Sequence, residues 1–463
     1  MSKLRIAIIG AGPSGLSQLF AFKQAEQEER IELVCFERQS DWGGLWIYTS
    51  QIGIDAHGEP VHSSMYRHLW SNAPKELIEY PDYTFYHHFG CFLPSFLPRA
   101  LIYDYLTGRA KANNLRRYIR FNTAVRHVDF DDDKNEFNVE VENLNTGSTE
   151  YLSFDRVIVA VGHHHVPNMI NIDGVDQFPG RVLHSHEFRG ADEFVGLNLL
   201  IIGGSISAED IASECYKFGA QLVIISSREE PIGYKWPAEI KTAPILVRME
   251  GRKAHFKDGS SVDNIDAIIF CTGYRHFYPF MAKRFRLHCG VAEIIPPSLY
   301  KTIFWIDQPY LAYLGAAKYL YPFSLFELQT ALVRDVFLGN VKLPEKDQWQ
   351  ADLNEWKKRE KAMVPFDILV WADLELDYMR DMLALLHTHD GNQPLSNFDF
   401  DKAQKLLKKY SENKLVDILG FRDISYESTA GMENTKLVQV CKPWLENMDD
   451  TIESFLINYR EKL

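Results

Sequence analysis

The sequence predicts an α/β protein built on two parallel sheets. Two stretches far apart in the chain, beginning at Leu4 and at Leu197, show the same order of short apolar run, glycine turn, helix and second apolar run. A helical crossover between two buried strands makes those strands parallel. With 463 residues and 46% hydrophobic composition, the chain has enough apolar material for more than one core. We therefore expect two domains.

The first unit lies at the amino terminus. Residues 4–9 and 31–36 predict strands, and residues 16–27 predict the helix between them. The turn Gly10-Ala11-Gly12-Pro13-Ser14-Gly15 has the spacing of a Rossmann-like dinucleotide site. Its glycines allow a tight turn, close approach of a pyrophosphate and close packing of helix on strand. Glu37 follows the second strand, where an acid accepts hydrogen bonds from ribose hydroxyls.

The second unit is less regular. A strand over residues 197–202 leads into Gly203-Gly204-Ser205-Ile206-Ser207-Ala208, then a helix to about Phe218 and a strand over residues 221–226. This turn keeps the first glycine and replaces the other two key positions with the small residues Ser205 and Ala208. We interpret it as a nicotinamide-dinucleotide site, and the alternative is an ordinary helix start.

Arg228 stands at the end of that second strand. A cation there pairs with the 2′-phosphate of NADPH, whereas an acid would select NADH. Glu229 and Glu230 next to it weaken the signal, so an ordinary surface arginine remains the alternative.

The rest of the chain supplies the connecting structure. Residues 124–130, 137–142 and 151–161 predict a small antiparallel meander that leads into a buried strand. After Gly273 the pattern loosens into aromatic-rich loops, followed by amphipathic helices over residues 347–361 and 401–414. The aromatic residues within 310–326 either wall a substrate pocket or fill a core.

Composition excludes several classes of function. A net charge of −13 disfavours binding to nucleic acid or to an anionic membrane surface. Six scattered cysteines without a close pair indicate a reducing compartment. No signal peptide and no run near the roughly 18 apolar residues of a membrane span are present, so we expect a cytoplasmic protein. His163-His164-His165 suggests a metal site, but adjacent extended residues point to opposite faces, so we predict no metal.

Two further motifs carry a specific resemblance. Residues 178–189 contain F-x-G-x-x-x-H-x-x-x-F-R, from Phe178 to Arg189, and residues 266–274 predict a strand that ends in Thr272-Gly273. These motifs and their order resemble the class B flavin-dependent monooxygenases in the form of flavin-containing monooxygenases, nearest to the bacterial trimethylamine monooxygenase branch. Segments 42–46, 63–66, 69–72 and 233–237 extend the similarity over nearly the whole chain.

The resemblance implies a two-cofactor architecture. It predicts an FAD-binding domain from residues 1–166, an inserted NADPH-binding domain from residues 167–272, and a second FAD-binding part with C-terminal helices over residues 273–463. The residues that it assigns to cofactor binding, beyond the glycine turns, Glu37 and Arg228, are Arg38, Gly44, Leu45, Trp46, His62, Ser64, Met65, Asn72, Val125, Thr272 and Gly273.

The resemblance also implies a mechanism. NADPH reduces FAD, oxygen adds to the flavin C4a carbon, and bound NADP⁺ shields the resulting hydroperoxide from water. A soft nucleophile then attacks the distal oxygen, so no side-chain nucleophile is required. Asn72 matches the active-site asparagine of the family, although a turn-forming asparagine before Ala-Pro is the alternative. Expected partners are a small substrate and O₂, and the family habit is a homodimer.

Departures from the branch leave the substrate open. Ile206 and the segment Ala316-Ala317-Lys318-Tyr319-Leu320 lack the aromatic and glutamine residues of the trimethylamine enzymes. Trimethylamine, other amines, sulfides and indole all remain candidates. A Baeyer-Villiger monooxygenase is an alternative that Phe188 disfavours, since that fingerprint commonly ends in tryptophan. A disulfide reductase would need a close cysteine pair, and a flavin redox sensor without turnover is a further alternative.

Overall fold

A computed structural model describes residues 3–25, 30–228, 232–291, 293–363, 367–386 and 394–427. Glu229 and Glu230, which bear on the interpretation of Arg228, lie outside the described residues. The end predicted for the first helix, at residue 27, lies outside them as well.

Eighteen strands are present in this part of the chain. They are β1 (Leu4–Ile9), β2 (Ile31–Phe36), β3 (Ile119–Arg120), β4 (Thr123–Asp131), β5 (Glu136–Asn143), β6 (Ser148–Phe154), β7 (Arg156–Val159), β8 (Arg181–His184), β9 (Asn198–Ile202), β10 (Leu222–Ser226), β11 (Ile240–Ala243), β12 (Leu246–Glu250), β13 (Lys253–Phe256), β14 (Ser261–Val262), β15 (Ala267–Phe270), β16 (Leu299–Tyr300), β17 (Phe304–Trp305) and β18 (Gln308–Tyr313).

Eight α-helices accompany them in the described ranges. They are α1 (Pro13–Gln24), α2 (Phe85–Phe89), α3 (Arg99–Ala112), α4 (Ile206–Lys217), α5 (Pro322–Phe337), α6 (Lys346–Lys361), α7 (Ile368–Leu386) and α8 (Phe400–Val416).

Two mainly parallel sheets organise the chain. The larger has the order β16-β17-β18-β7-β1-β2-β3, and the smaller has the order β11-β10-β9-β15-β8. In the larger sheet β1 pairs in parallel with both β2 and β7. In the smaller sheet β9 pairs in the same way with β10 and β15. Each glycine turn therefore follows a central strand of its sheet, where ligands of open α/β sheets bind.

Each parallel sheet is covered on both faces, as buried parallel strands require. On the larger sheet, Ile6 and Ile8 pack in a core with α1, α3 and α5, while Ala7 and Ile9 pack in another with the antiparallel meander β4-β5-β6. The smaller sheet repeats the arrangement, with α4 on one face and the meander β12-β13-β14 on the other. Helices α6, α7 and α8 add to the helical side of the larger sheet.

The predicted α/β fold with two Rossmann-like units is confirmed, with differences in detail. Helix α1 begins at Pro13 rather than at residue 16, because proline fits the first helical position. The run predicted over residues 151–161 divides at Asp155 into β6 and β7, which belong to different sheets. The expectation of loops after Gly273 is wrong for the stretch from 299 to 337, where β16, β17, β18 and α5 form.

None of the helices in the described ranges combines the length and the apolar character that crossing a membrane requires.

Packing at the first glycine turn gives a stability prediction. A β-carbon at Gly15 would lie 1.9 Å from the Gly10 carbonyl oxygen, whereas one at Gly12 would have its nearest neighbour at 3.6 Å. We expect Gly15→Ala to lower the free energy of unfolding by about 1–3 kcal/mol, because helix and strand must move apart. The control Gly12→Ala should cost less than about 1 kcal/mol. Urea unfolding without added ligand measures both, and equal losses would contradict the packing argument.

Candidate functional site

A cavity of about 2390 Å³ extends from the first glycine turn to the second. Its lining includes Gly10 and Gly12 from the turn after β1, and Gly203 and Gly204 from the turn after β9. Sites for single small ligands typically occupy roughly 300–1,000 Å³. The cavity therefore has room for more than one such ligand, and both glycine turns open into the same space.

The first turn is shaped for a close approach of backbone to ligand. Gly10 has a φ of +103°, and a β-carbon there would lie 2.7 Å from the carbonyl oxygen of Ala160. Helix α1 begins directly afterwards with Gly12 as its N-cap and without a side-chain cap. Because no protein atom crowds the missing β-carbon of Gly12, its neighbours do not require glycine there. Glycine would be required at this position if an anion lay on the uncapped helix start, because a β-carbon would keep the anion away from the backbone.

Glu37 is anchored at the edge of this turn. Its buried carboxylate accepts the backbone N–H of Ala11 at 2.6 Å and that of Gln39 at 2.8 Å. Burial raises the pKa of Glu37, although these two N–H groups oppose the rise. Each oxygen keeps a second lone pair, so the carboxylate still has acceptor capacity toward the cavity.

The second turn repeats the geometry of the first. Gly203 has a φ of +130°, and a β-carbon there would lie 2.3 Å from the Cys271 carbonyl oxygen. Helix α4 has Ser205 as its N-cap, again without a side-chain cap. Ser205, Ile206 and Ser207 are exposed in the cavity. The helix start therefore presents open N–H groups and two hydroxyls to a ligand.

The cavity brings together nearly all residues that the sequence and the resemblance assigned to cofactor binding. Only Gly15 among them does not line it, because this glycine packs α1 against the Gly10 backbone. The lining members are Gly10, Gly12, Pro13, Ser14, Glu37, Arg38, Gly44, Leu45, Trp46, His62, Ser64, Met65, Asn72, Val125, Gly203, Ser205, Ile206, Ser207, Arg228, Thr272 and Gly273.

Asn72 lies in a turn whose backbone carbonyls accept hydrogen bonds from two residues late in the chain. The hydroxyl of Tyr410 donates to the Asn72 carbonyl oxygen at 2.5 Å, and Nε of Arg422 donates to the Ser71 carbonyl oxygen at 3.2 Å. Asn72 itself is exposed and lines the cavity. Its amide is thus presented to the cavity from a fixed backbone, with both a donor and an acceptor group.

The consecutive histidines form a neutral wall. His163 stacks on His276 with ring centroids 4.8 Å apart, and His165 stacks on His62 at 4.7 Å. Burial lowers the pKa of His163 well below its usual value and that of His165 to about 3, so both are uncharged near pH 7. The two rings face different neighbours, and among the described residues no three His, Cys, Asp or Glu side chains are grouped to hold a metal ion.

Several lining residues were not found from the sequence. Helix α8 contributes Tyr410, Ser411, Lys414 and Leu415. Its amphipathic pattern predicted a helix but not which face meets the cavity. The aromatic stretch serves both roles that were considered, since Tyr319 and Phe323 line the cavity while Tyr321 is buried in the core.

Comparison with known proteins agrees with this geometry. The sequence matches the family described as Flavin-binding monooxygenase-like over residues 3–233 and 237–402. It is 46% identical to a trimethylamine monooxygenase from Methylocella silvestris, over 97% of this chain and 98% of the relative.

Solved structures show the same similarity. Tmm from Pelagibacter sp. has a TM-score of 0.91 and 38% identity, covering 97% of this chain and all of the other. An S-allyl-L-cysteine S-oxygenase from Allium sativum has a TM-score of 0.78 and 26% identity, covering 92% and 96%.

The buried histidine His184 gives a pH prediction. It is 2% exposed, and burial together with the nearby His186 lowers its pKa to about 4. The unfolded chain takes up this proton at about pH 6.5. The stabilisation is therefore present above pH 6.5 and is lost as the pH falls towards 4, by on the order of 3 kcal/mol.

Urea unfolding between pH 7.5 and 4.5 measures this loss. In His184→Gln the fall in the free energy of unfolding should be shallower than in the wild type. The exposed His57 provides the control His57→Gln, which should keep the wild-type slope. Parallel curves for the wild type and the His184 variant would contradict the prediction.

Proposed function

The chain belongs to the Flavin-binding monooxygenase-like family, and on that premise we propose that it uses FAD and NADPH to add one atom of O₂ to nitrogen or sulfur of a small nucleophile. Two relatives support oxygenation at nitrogen and at sulfur, respectively. One is named for trimethylamine and another for S-oxygenation of S-allyl-L-cysteine. The enzyme is thus an oxidoreductase of the flavin-containing monooxygenase type.

The observation that carries the proposal is the shared cavity between two equivalent glycine turns. Each turn follows a central parallel strand and leads into an uncapped helix start. One uncapped helix start is a site for one phosphate group. Two of them opening into a single space support two dinucleotides bound in contact, as hydride transfer between cofactors requires.

We assign FAD to the first turn. The open side of Gly12 accommodates a pyrophosphate close to the backbone, and Glu37 retains lone pairs for ribose hydroxyls. Trp46, Met65 and Asn72 line the same cavity beyond this turn. When bound, the flavin supplies the activated oxygen, and these residues orient and enclose the flavin.

NADPH is assigned to the second turn. Ser205 and Ser207 line the cavity at the start of α4, which has no side-chain cap. Arg228 is exposed and lines the cavity just beyond the carboxyl end of β10. A charge-assisted contact to a 2′-phosphate contributes roughly 1.5–3 kcal/mol, which is the basis for preferring NADPH over NADH.

The chain's own residues bind, orient and exclude water. Aromatic side chains such as Trp46, Tyr319 and Phe323 wall the cavity and keep bulk water from the reacting atoms. His163 and His165 are neutral near pH 7, so they add no positive charge to the cavity wall. Asn72 presents an amide that holds the cofactors in register.

Product analysis tests the reaction class. With NADPH, flavin-loaded protein and isotopically labelled O₂, trimethylamine or a dialkyl sulfide should yield an N-oxide or S-oxide with one labelled atom per NADPH oxidised. Cyclohexanone should give no lactone. NADPH oxidation that yields only hydrogen peroxide with every nucleophile, or lactone as the main product, would refute the proposal.

Asn72 provides a residue-level test. Asn72→Ala removes the amide without changing the backbone, which Tyr410 and Arg422 hold. We expect the yield of oxygenated product per NADPH to fall by about tenfold or more, with peroxide released instead. The exposed Asn171 lines the cavity elsewhere, so Asn171→Ala is the control and should keep the wild-type yield. An unchanged yield in the Asn72 variant would contradict a catalytic role for the Asn72 amide.

A further inference from the structure

Three residues near the end of the described chain reach back to both parts of the cavity. Tyr410 and Lys414 belong to α8, and Arg422 lies in the short turn that follows it. We call these three residues the C-terminal clamp. On one side, Tyr410 and Arg422 hold the backbone carbonyls of Asn72 and Ser71, as described above.

On the other side, the clamp contacts the beginning of α4. Lys414 Nζ lies 2.5 Å from a carboxylate oxygen of Glu209, and their side chains are 11% and 8% exposed. Arg422 forms an ion pair with Asp210, with side chains 3% and 12% exposed. Arg422 therefore joins the start of α4 to the Asn72 turn, and both ion pairs are largely shielded from water.

The position of these carboxylates opposes phosphate binding. Glu209 and Asp210 lie near the start of α4, and both line the cavity. The positive end of a helix attracts an anion, but uncompensated carboxylates beside it would repel one. Two cations from the clamp face two carboxylates, so the ion pairs leave no net charge there.

Lys414 stays charged in this setting. Burial alone would lower its pKa, but Tyr410, Glu209 and Tyr234 together raise it above the usual value. Its ammonium group also lies 5.4 Å from the centre of the Tyr234 ring, in the loop that follows the second unit. The cation is thus held between the start of α4 and the loop that carries Tyr234.

We propose that the C-terminal clamp makes the second glycine turn competent to bind the phosphates of NADP⁺, by neutralising Glu209 and Asp210, and holds Asn72 at a fixed distance from that site. Lys414, Arg422 and Tyr410 are positioning residues, since they act through α4 and the Asn72 turn. This inference rests on the proposed function, which assigns the dinucleotide to α4.

Equilibrium binding of NADP⁺ to the flavin-loaded protein tests the clamp. Lys414→Met removes the cation beside Glu209 and leaves a net negative charge near the phosphate site, so the Kd of this variant should rise about tenfold. The double variant Lys414→Met/Glu209→Gln removes both charges, and its Kd should return to within about threefold of the wild type. Isothermal titration calorimetry gives Kd, and thermal unfolding gives Tm in parallel.

Lys301→Met is the matched control. Lys301 is a buried lysine paired with Asp352 and Asp381, and it does not line the cavity. Its loss should lower Tm without changing the Kd of NADP⁺. A merely structural ion pair at Lys414 would behave like this control.

The outcomes distinguish a failure of the clamp proposal from a failure of the proposed function. An unchanged Kd in Lys414→Met, or no recovery in the double variant, would overturn the clamp while leaving the proposed function intact. If Lys414→Met does not fold, Glu209→Gln alone should still tighten or preserve NADP⁺ binding, and a weakened Kd in that variant would overturn the proposal. Absence of NADP⁺ binding by the wild type would overturn both proposals.

Discussion

At each glycine turn a backbone carbonyl lies too close to leave room for a β-carbon. The Ala160 carbonyl crowds Gly10, and the Cys271 carbonyl crowds Gly203. This contact lets the neighbouring parallel strand pass directly beside the turn, so the following helix can begin at the carboxyl edge of the sheet. Its first N–H groups then face the cleft instead of the protein. The position of the cavity between the two sheets follows from this repeated contact.

The walls of the cavity come from distant parts of the chain, and several of their ionisable groups are neutral or paired within the protein. The buried histidines are neutral near pH 7, and the carboxylates at the start of α4 are paired with Lys414 and Arg422. Glu37 is fixed by backbone N–H groups. These pairings suit phosphate groups at the helix starts, since the carboxylates nearest the start of α4 do not repel an anion there.

The sequence predicted the elements that are specified by short apolar runs and glycine turns. Strands β1 and β2 have the predicted bounds, because short apolar runs and glycine turns specify them. Helix α5 was not predicted because most of its positions are buried, such as Phe323 to Phe326, and its charged residues Glu327, Arg334 and Asp335 form only a narrow polar stripe. The hydrogen bond between Tyr410 and Asn72 joins residues 338 positions apart, so no local pattern could reveal it.

The central claim is that two dinucleotides occupy the cavity together, one at each glycine turn. Equilibrium dialysis of the protein against FAD and NADP⁺ tests it most directly by counting each ligand per chain. The account predicts one FAD and one NADP⁺ bound simultaneously, with FAD retained at saturating NADP⁺. Displacement of either ligand by the other would mean that they share a single site, and it would contradict the account.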